Sequence, residues 1–130
     1  MATSIASPLL SPLMIGINVD RADSHTDEIE HGALDLYDAH GWFLDRIALA
    51  GQRQTIFIDL RQLMPRLLAS PCACLILRHR HPSGLAAPSQ ADIATTRIFA
   101  DMLRFFDIRL HDHFIEGSGQ SFSFRAEGLI

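Results

Sequence analysis

The chain has 130 residues, 48% of them hydrophobic and 20% charged, which suits one domain with a single core. Its net charge of −4 supplies no global basic field, so nucleic acid is not expected as an unaided partner. No apolar run is long enough for a membrane span, and no positive region precedes the apolar residues among 1–11, so a cytoplasmic protein is expected.

Residues 1–30 read as a poorly defined N-terminal extension before a domain over 31–130. Ser7-Pro8 and Ser11-Pro12 favour irregular backbone, and Leu13 to Val19 fits one short strand. Arg21 to Glu30 is polar and acidic and fits a surface loop or short helix. Ala33 to Tyr37 and Trp42 to Leu49 flank the turn Asp38-Ala39-His40-Gly41, a pattern for a β-hairpin that Gly51 closes.

Leu60, Leu63, Met64, Leu67 and Leu68 recur at helical spacing, which predicts a helix over 59–69 with Asp59 as its N-cap. Pro65 inside that stripe predicts a kink, or a helix that starts at the proline. Cys72 to Leu77 reads as a buried strand. With Cys72 and Cys74 the only thiols, a structural thiolate zinc site is excluded, and the two read as small buried side chains. A second helix follows over 89–106, then strands over 108–115 and 121–124 about Gly117-Ser118-Gly119. The order of elements predicts a mixed α/β domain.

The chemistry is concentrated at His79-Arg80-His81-Pro82-Ser83-Gly84 and its continuation to Ser89 and Asp92, the pattern H-x-H-P-S-G-x4-S-x-x-D. An i, i+2 spacing on extended backbone puts both imidazoles on one side. Asp92 falls in the first turn of the next helix and can fold back on them. Two imidazoles and a carboxylate suit Zn2+ with a fourth position open for water, which the metal would acidify. The Ser89 hydroxyl could then donate to a developing oxyanion. The same residues have plainer readings. Ser89-x-x-Asp92 is also a capping-box pattern that needs no metal, and Arg78 and Arg80 could form a small anion patch. For Asp112 and His113, which face opposite ways on a strand, a structural hydrogen bond is the expectation.

The full pattern is similar to the metal motif of the JAB/MPN (JAMM) metalloproteases, and the chain resembles their RadC branch in particular. Leu34 to Leu44, Gly51, Arg61, Asp112-His113, Phe122 to Arg125 and Glu127 to Leu129 extend the likeness over roughly residues 31–130. The resemblance implies an MPN-type (cytidine-deaminase-like) curved mixed sheet flanked by helices. It implies zinc on His79, His81 and Asp92, Ser89 at the oxyanion, and hydrolysis of a peptide or isopeptide bond. It also implies a catalytic glutamate near position 46, where this chain reads Leu44-Asp45-Arg46-Ile47. Asp45 is the local carboxylate that could act as base, and Glu28, Glu30 and Glu116 are more distant candidates. Arg46 and Arg80 would place positive charge beside a cation. The helix-hairpin-helix module common in RadC-like proteins is not expected in the thirty residues before the domain. Three readings therefore stand: a zinc hydrolase acting on a peptide or protein, a non-catalytic interaction module that keeps the metal, and an accessory protein in DNA repair or recombination.

Overall fold

In the strand β2 (His31–Tyr37) leucines alternate with Asp35, so opposite faces of one strand carry opposite chemistry. The computed structural model of the protein describes residues 14–18, 31–49, 51–52, 55–81 and 84–130. In it β2 lies inside a five-stranded sheet ordered β3 (Phe43–Leu49), β2, β6 (Cys74–Arg80), β7 (Arg109–Glu116) and β8 (Ser121–Ser123). β6 and β7 run parallel, and the other neighbours are antiparallel. The parallel pair needs a crossover. The helix α2 (Gln90–Arg104) lies in it. This is the mixed α/β architecture expected from the order of elements.

The β2–β3 hairpin turns on Asp38, whose side chain accepts from the backbone N–H of His40 and of Trp42, both at 2.9 Å. Gly41 supplies the positive φ of +86° that this turn requires. Beyond Gly51 the chain does not simply leave the sheet. Gly51–Gln52 (β4) pairs with Thr55–Asp59 (β5), and β5 pairs with β1 (Met14–Asn18) in a second, three-stranded sheet. No strand was expected at 51–59, because a turn-like Gly-Gln-Arg-Gln hides a pairing that depends on a distant partner. β1 falls where Leu13 to Val19 suggested it. Residues 19–30 lie outside the described residues.

The first helix, α1 (Leu60–Leu68), starts where the sequence places its cap: Asp59 accepts from the Arg61 N–H at 3.0 Å. It runs through Pro65 rather than beginning there. Leu60, Leu63 and Leu67 point from it into the core, where they meet Leu34, Leu36, Ile47, Leu75 and Leu77 of the sheet. Phe99 and Leu103 join the same core from α2. Both helices thus cover one face of the five-stranded sheet. Each fully buried leucine contributes roughly 2 kcal/mol by leaving water.

One irregularity positions the site. The pairing of β6 with β7 shifts between Leu75 and Ile76, so that Leu75 is opposite Leu110 but Ile76 is opposite Asp112. A bulge of one residue resets the alternation. Leu110, His113 and Ile115 are all buried, with His113 opposite Leu77 and Ile115 opposite His79.

Candidate metal centre

β6 carries Arg78, His79 and Arg80 in sequence, and the pleat separates them. His79 is buried on the helix-covered face, with Leu75 and Leu77. Arg78 and Arg80 fall on the other face by the same alternation. The arginines therefore do not crowd the imidazoles, contrary to the expectation for Arg80. His81 follows the strand and is 2% exposed. Its backbone N–H donates to Glu116 O at 3.0 Å, which ties the end of β6 to the end of β7.

The loop after His81 is held by close backbone contact. Gly84 has φ +79°, and its carbonyl accepts from Ser118 N–H at 3.0 Å. A side chain at Gly117 would overlap that carbonyl. Pro82 and Ser83 of the motif lie outside the described residues.

The two imidazoles meet through their Nε2 atoms at 2.9 Å. The Nδ1 of His81 is 2.7 Å from the carbonyl oxygen of Leu85. A carbonyl only accepts, so Nδ1 bears the proton, and the Nε2 of neutral His81 presents a lone pair. Burial, and then the charge of His81, push the His79 pKa down to about 3, so this ring is neutral near pH 7. Two such nitrogens facing one another need a proton or a cation between them. In tetrahedral zinc coordination two nitrogens stand ~3.3 Å apart, a few tenths of an ångström beyond the observed spacing.

Asp92 is the carboxylate nearest in the motif, and its two oxygens are held differently. Ser89 is the N-cap of α2, and its hydroxyl accepts from the Asp92 N–H at 3.1 Å. In return Asp92 Oδ2 accepts from the Ser89 N–H at 2.9 Å, completing the capping box. The other oxygen, Oδ1, is buried and has no hydrogen-bond partner. Burial raises the Asp92 pKa against the hydrogen bonds of Ser89 and the nearby charge of His81. An unpartnered buried carboxylate oxygen is costly, and a cation would remove the cost. The capping reading of Ser89-x-x-Asp92 is thus met by one oxygen, and it leaves the other oxygen unpartnered. Among the described residues no three ligating side chains are gathered tightly enough to enclose an ion as they stand. The imidazole pair and the unpartnered Oδ1 nevertheless fit zinc in donor type.

Asp45 is not brought to this cluster. It is opposite Leu36, which is opposite Leu75, whereas His79 is opposite Gly32, which is opposite Leu49. Four residues of strand separate the two levels, about 13 Å. Asp45 is exposed and is bound to Arg66 of α1 at 3.3 Å. Arg46 lies on the opposite face, where Asp35 accepts from its Nε at 2.5 Å and its Nη2 at 2.9 Å. Glu116 is on that face too, 3.5 Å from Arg78. Glu28 and Glu30 lie outside the described residues.

Two members of the cluster were not anticipated. His113 Nε2 is 2.6 Å from His79 Nδ1, and Thr96 Oγ1 is 2.9 Å from His113 Nδ1. Asp112 accepts from the His113 backbone N–H at 2.7 Å, the structural bond expected of that pair, and also from Ser123 Oγ and Arg125 N–H. The available sign for Thr96 was its place four residues after Asp92, on the same face of α2.

A family model described as RadC-like JAB domain matches residues 21–129. The chain belongs to the RadC-like JAB domain family. A UPF0758 protein of Vibrio parahaemolyticus is 42% identical over 95 residues, 73% of this chain and 42% of that protein. One from Photobacterium profundum is 38% identical over 95 residues, covering the same shares. One from Azotobacter vinelandii is 48% identical over 70 residues, 54% of this chain and 31% of its own. This RadC-like domain thus spans less than half the length of the curated relatives it matches. No helix among its described residues is long and apolar enough to cross a membrane.

Proposed function

We propose that this RadC-like domain is a zinc-dependent hydrolase of the JAMM type, cleaving a peptide or isopeptide bond, with His79, His81 and Asp92 as ligands. The observation that carries the reading is the divided carboxylate of Asp92, capping α2 with Oδ2 while Oδ1 is buried without a partner. Zinc, when bound there, supplies a Lewis acid for a carbonyl and acidity for a water. The chain's own part is preparation. Leu85 O holds His81 in the tautomer whose Nε2 can ligate, and burial keeps His79 neutral. Ser89 Oγ accepts from Asp92 N–H and retains its own hydrogen for a developing oxyanion. A proton acceptor has to come from outside β3. β2 enters the sheet at the metal end, with His31 opposite Arg80 and Gly32 opposite His79. Glu28 and Glu30 precede it in the chain and are the carboxylates to substitute first. Both cysteines are free thiols, which suits a reducing cytoplasm. The partner in this reading is a peptide or protein rather than nucleic acid or a membrane.

Protein purified without added metal is expected to carry close to one zinc per chain. His79→Ala and Asp92→Ala should lose it, and Ser89→Ala should keep it. Zinc-loaded protein is then incubated with linear peptides and lysine-branched isopeptides, and slow cleavage abolished by His79→Ala is the expected result. Absence of zinc even after soaking would sink the metal site. Full zinc occupancy with no cleavage would favour the second reading, a metal-keeping interaction module. Arg46 supports that alternative: it stands where the family resemblance puts a glutamate and is tied to Asp35 on the far face. Loss of a general base costs typically ~10²–10⁴ in rate.

A further inference from the structure

The cluster contains a third buried histidine that neither the motif nor the zinc reading uses. His113 is fully buried, with its ring stacked on Phe124 at 4.3 Å between centroids and 16° between planes. Both of its nitrogens are engaged, Nε2 with His79 Nδ1 and Nδ1 with Thr96 Oγ1. The contacts make one line: Thr96, His113, His79, His81, Leu85. Its last acceptor is a carbonyl, so His81 carries its proton on Nδ1 in every arrangement.

We propose that His113, backed by Thr96, is a positioning residue that sets the tautomer and ring plane of His79 and reverses its proton order when zinc binds. This rests on the zinc reading of His79 and His81. Proton counting leaves two complete arrangements. In the first, without a cation, Thr96 Oγ1–H donates to His113 Nδ1, and His113 Nε2–H donates to His79 Nδ1. His79 Nε2–H then donates to His81 Nε2. Every nitrogen is satisfied, and His79 has no lone pair for a metal. In the second, His79 Nδ1–H donates to His113 Nε2, and His113 Nδ1–H donates to Thr96 Oγ1. The threonine hydrogen turns to the carbonyl one helical turn back, an ordinary arrangement for a helical threonine. The Nε2 lone pairs of His79 and His81 now face the same point, which only a cation makes favourable. The two arrangements hold the same number of protons. The change is a shift of tautomer over two rings and not a gain or loss of charge. A second imidazole that can act as either donor or acceptor permits this reversal; a carboxylate or carbonyl in its place would hold only the second order.

The test is nitrogen-15 correlation spectroscopy of the histidine rings, with zinc titration. In zinc-free protein, His79 and His113 are expected to be protonated at Nε2. On addition of zinc both should switch to Nδ1, with His81 unchanged at Nδ1. His113→Phe keeps the stack on Phe124 but removes the partner of His79 Nδ1, and should weaken zinc affinity by ~10–100-fold, the usual effect of losing an outer partner of a ligand. His113→Gln, which retains an acceptor, should recover part of that loss. Thr96→Val should weaken affinity by less and move the His113 Nδ1 resonance. Thermal unfolding of each variant separates misfolding from lost positioning. Unchanged zinc affinity in a folded His113→Phe, or ring tautomers of His79 identical with and without bound zinc, would overturn the proposal. If the wild-type protein takes up no zinc, the metal reading fails. The zinc-free spectrum still decides the relay, since mixed tautomers at His79 and His113, or a His113 resonance indifferent to Thr96→Val, would refute it.

Discussion

The two faces of β2, β6 and β7 each bury a polar cluster, and they satisfy it differently. On the open face Asp35 is 2% exposed and meets Arg46 through two hydrogen bonds and Arg78 through a third at 3.0 Å. Arg78 continues to Glu116 and lies over the Phe114 ring at 4.9 Å. Burial would raise the Asp35 pKa, but the hydrogen bonds and charges of the two guanidinium groups together outweigh it and hold the carboxyl below the usual range. That cluster is closed. On the helix-covered face the groups are imidazoles in series, and the Asp92 carboxylate has one oxygen unmatched. A network whose members all find partners is complete as it folds. A network that leaves a buried carboxylate oxygen unpaired is complete only with something added. That contrast separates a closed ion cluster from one with an acceptor left open, though both are buried and polar.

Acid should distinguish them most strongly. His79 is pushed down to about 3, and burial holds His113 well below its ordinary value, so both are neutral when folded. Their unfolded forms titrate near 6.5. Between those values the unfolded chain binds more protons, so stability rises with pH and is lost as pH falls below about 6.5. Asp92, raised by burial, acts in the opposite sense and recovers part of it. Metal-free protein is therefore expected to lose at least roughly 3 kcal/mol between neutral pH and pH 4. Asp35, already lowered, begins to lose its contribution only below its ordinary 3.8. Denaturant midpoints measured across pH would show this order, and a stability flat from pH 7 to pH 4.5 would remove the distinction.

Removing the carboxylate of the closed cluster is the next largest change. Asp35→Ala leaves Arg46 and Arg78 without their acceptor, but the Arg46 side chain is 59% exposed and can return to water. A loss of about 2 kcal/mol is expected, short of the penalty for stranding a fully buried charge. Zinc stoichiometry should be untouched, since these side chains lie across the sheet from the imidazoles. A drop in zinc content in Asp35→Ala would mean that the two faces are coupled. The smallest effect belongs to Ser89→Ala, which removes the cap of α2 and should cost about 1 kcal/mol. It should retain zinc, because the Asp92 Oδ1 is not part of the cap. Loss of zinc along with the cap would show that the box and the ligand cannot be separated.

Much of this was legible in the chain. The Asp59 cap, the stripes of both helices, the β2–β3 hairpin and the pair Ser89 and Asp92 follow from contacts within a few residues, which local spacing encodes. The placement of Asp45 was not legible. Its distance from His79 depends on the registers of two strand pairs, and neighbouring positions in β3 differ in both level and face. β5 escaped because its pairing with β1 joins segments far apart in the chain, and the two-residue β4 is too short to show a pattern before it pairs with β5.

By itself the sequence determined which side chains are candidate donors, since H-x-H before a loop and S-x-x-D at a helix start name atoms of the right chemistry, and the Ser89–Asp92 cap is held locally. Tertiary structure alone decided what surrounds them. The parallel pairing of β6 and β7, with its one-residue bulge, brings His113 under His79 across 34 residues of chain. The pleat of β6 sends Arg78 and Arg80 away from the ring that lies between them. The physical reason is one of range: hydrogen bonds within a turn or a helix cap are written in adjacent residues. Which face a side chain shares, and with whom, is set by strand register, which every residue of both strands fixes jointly.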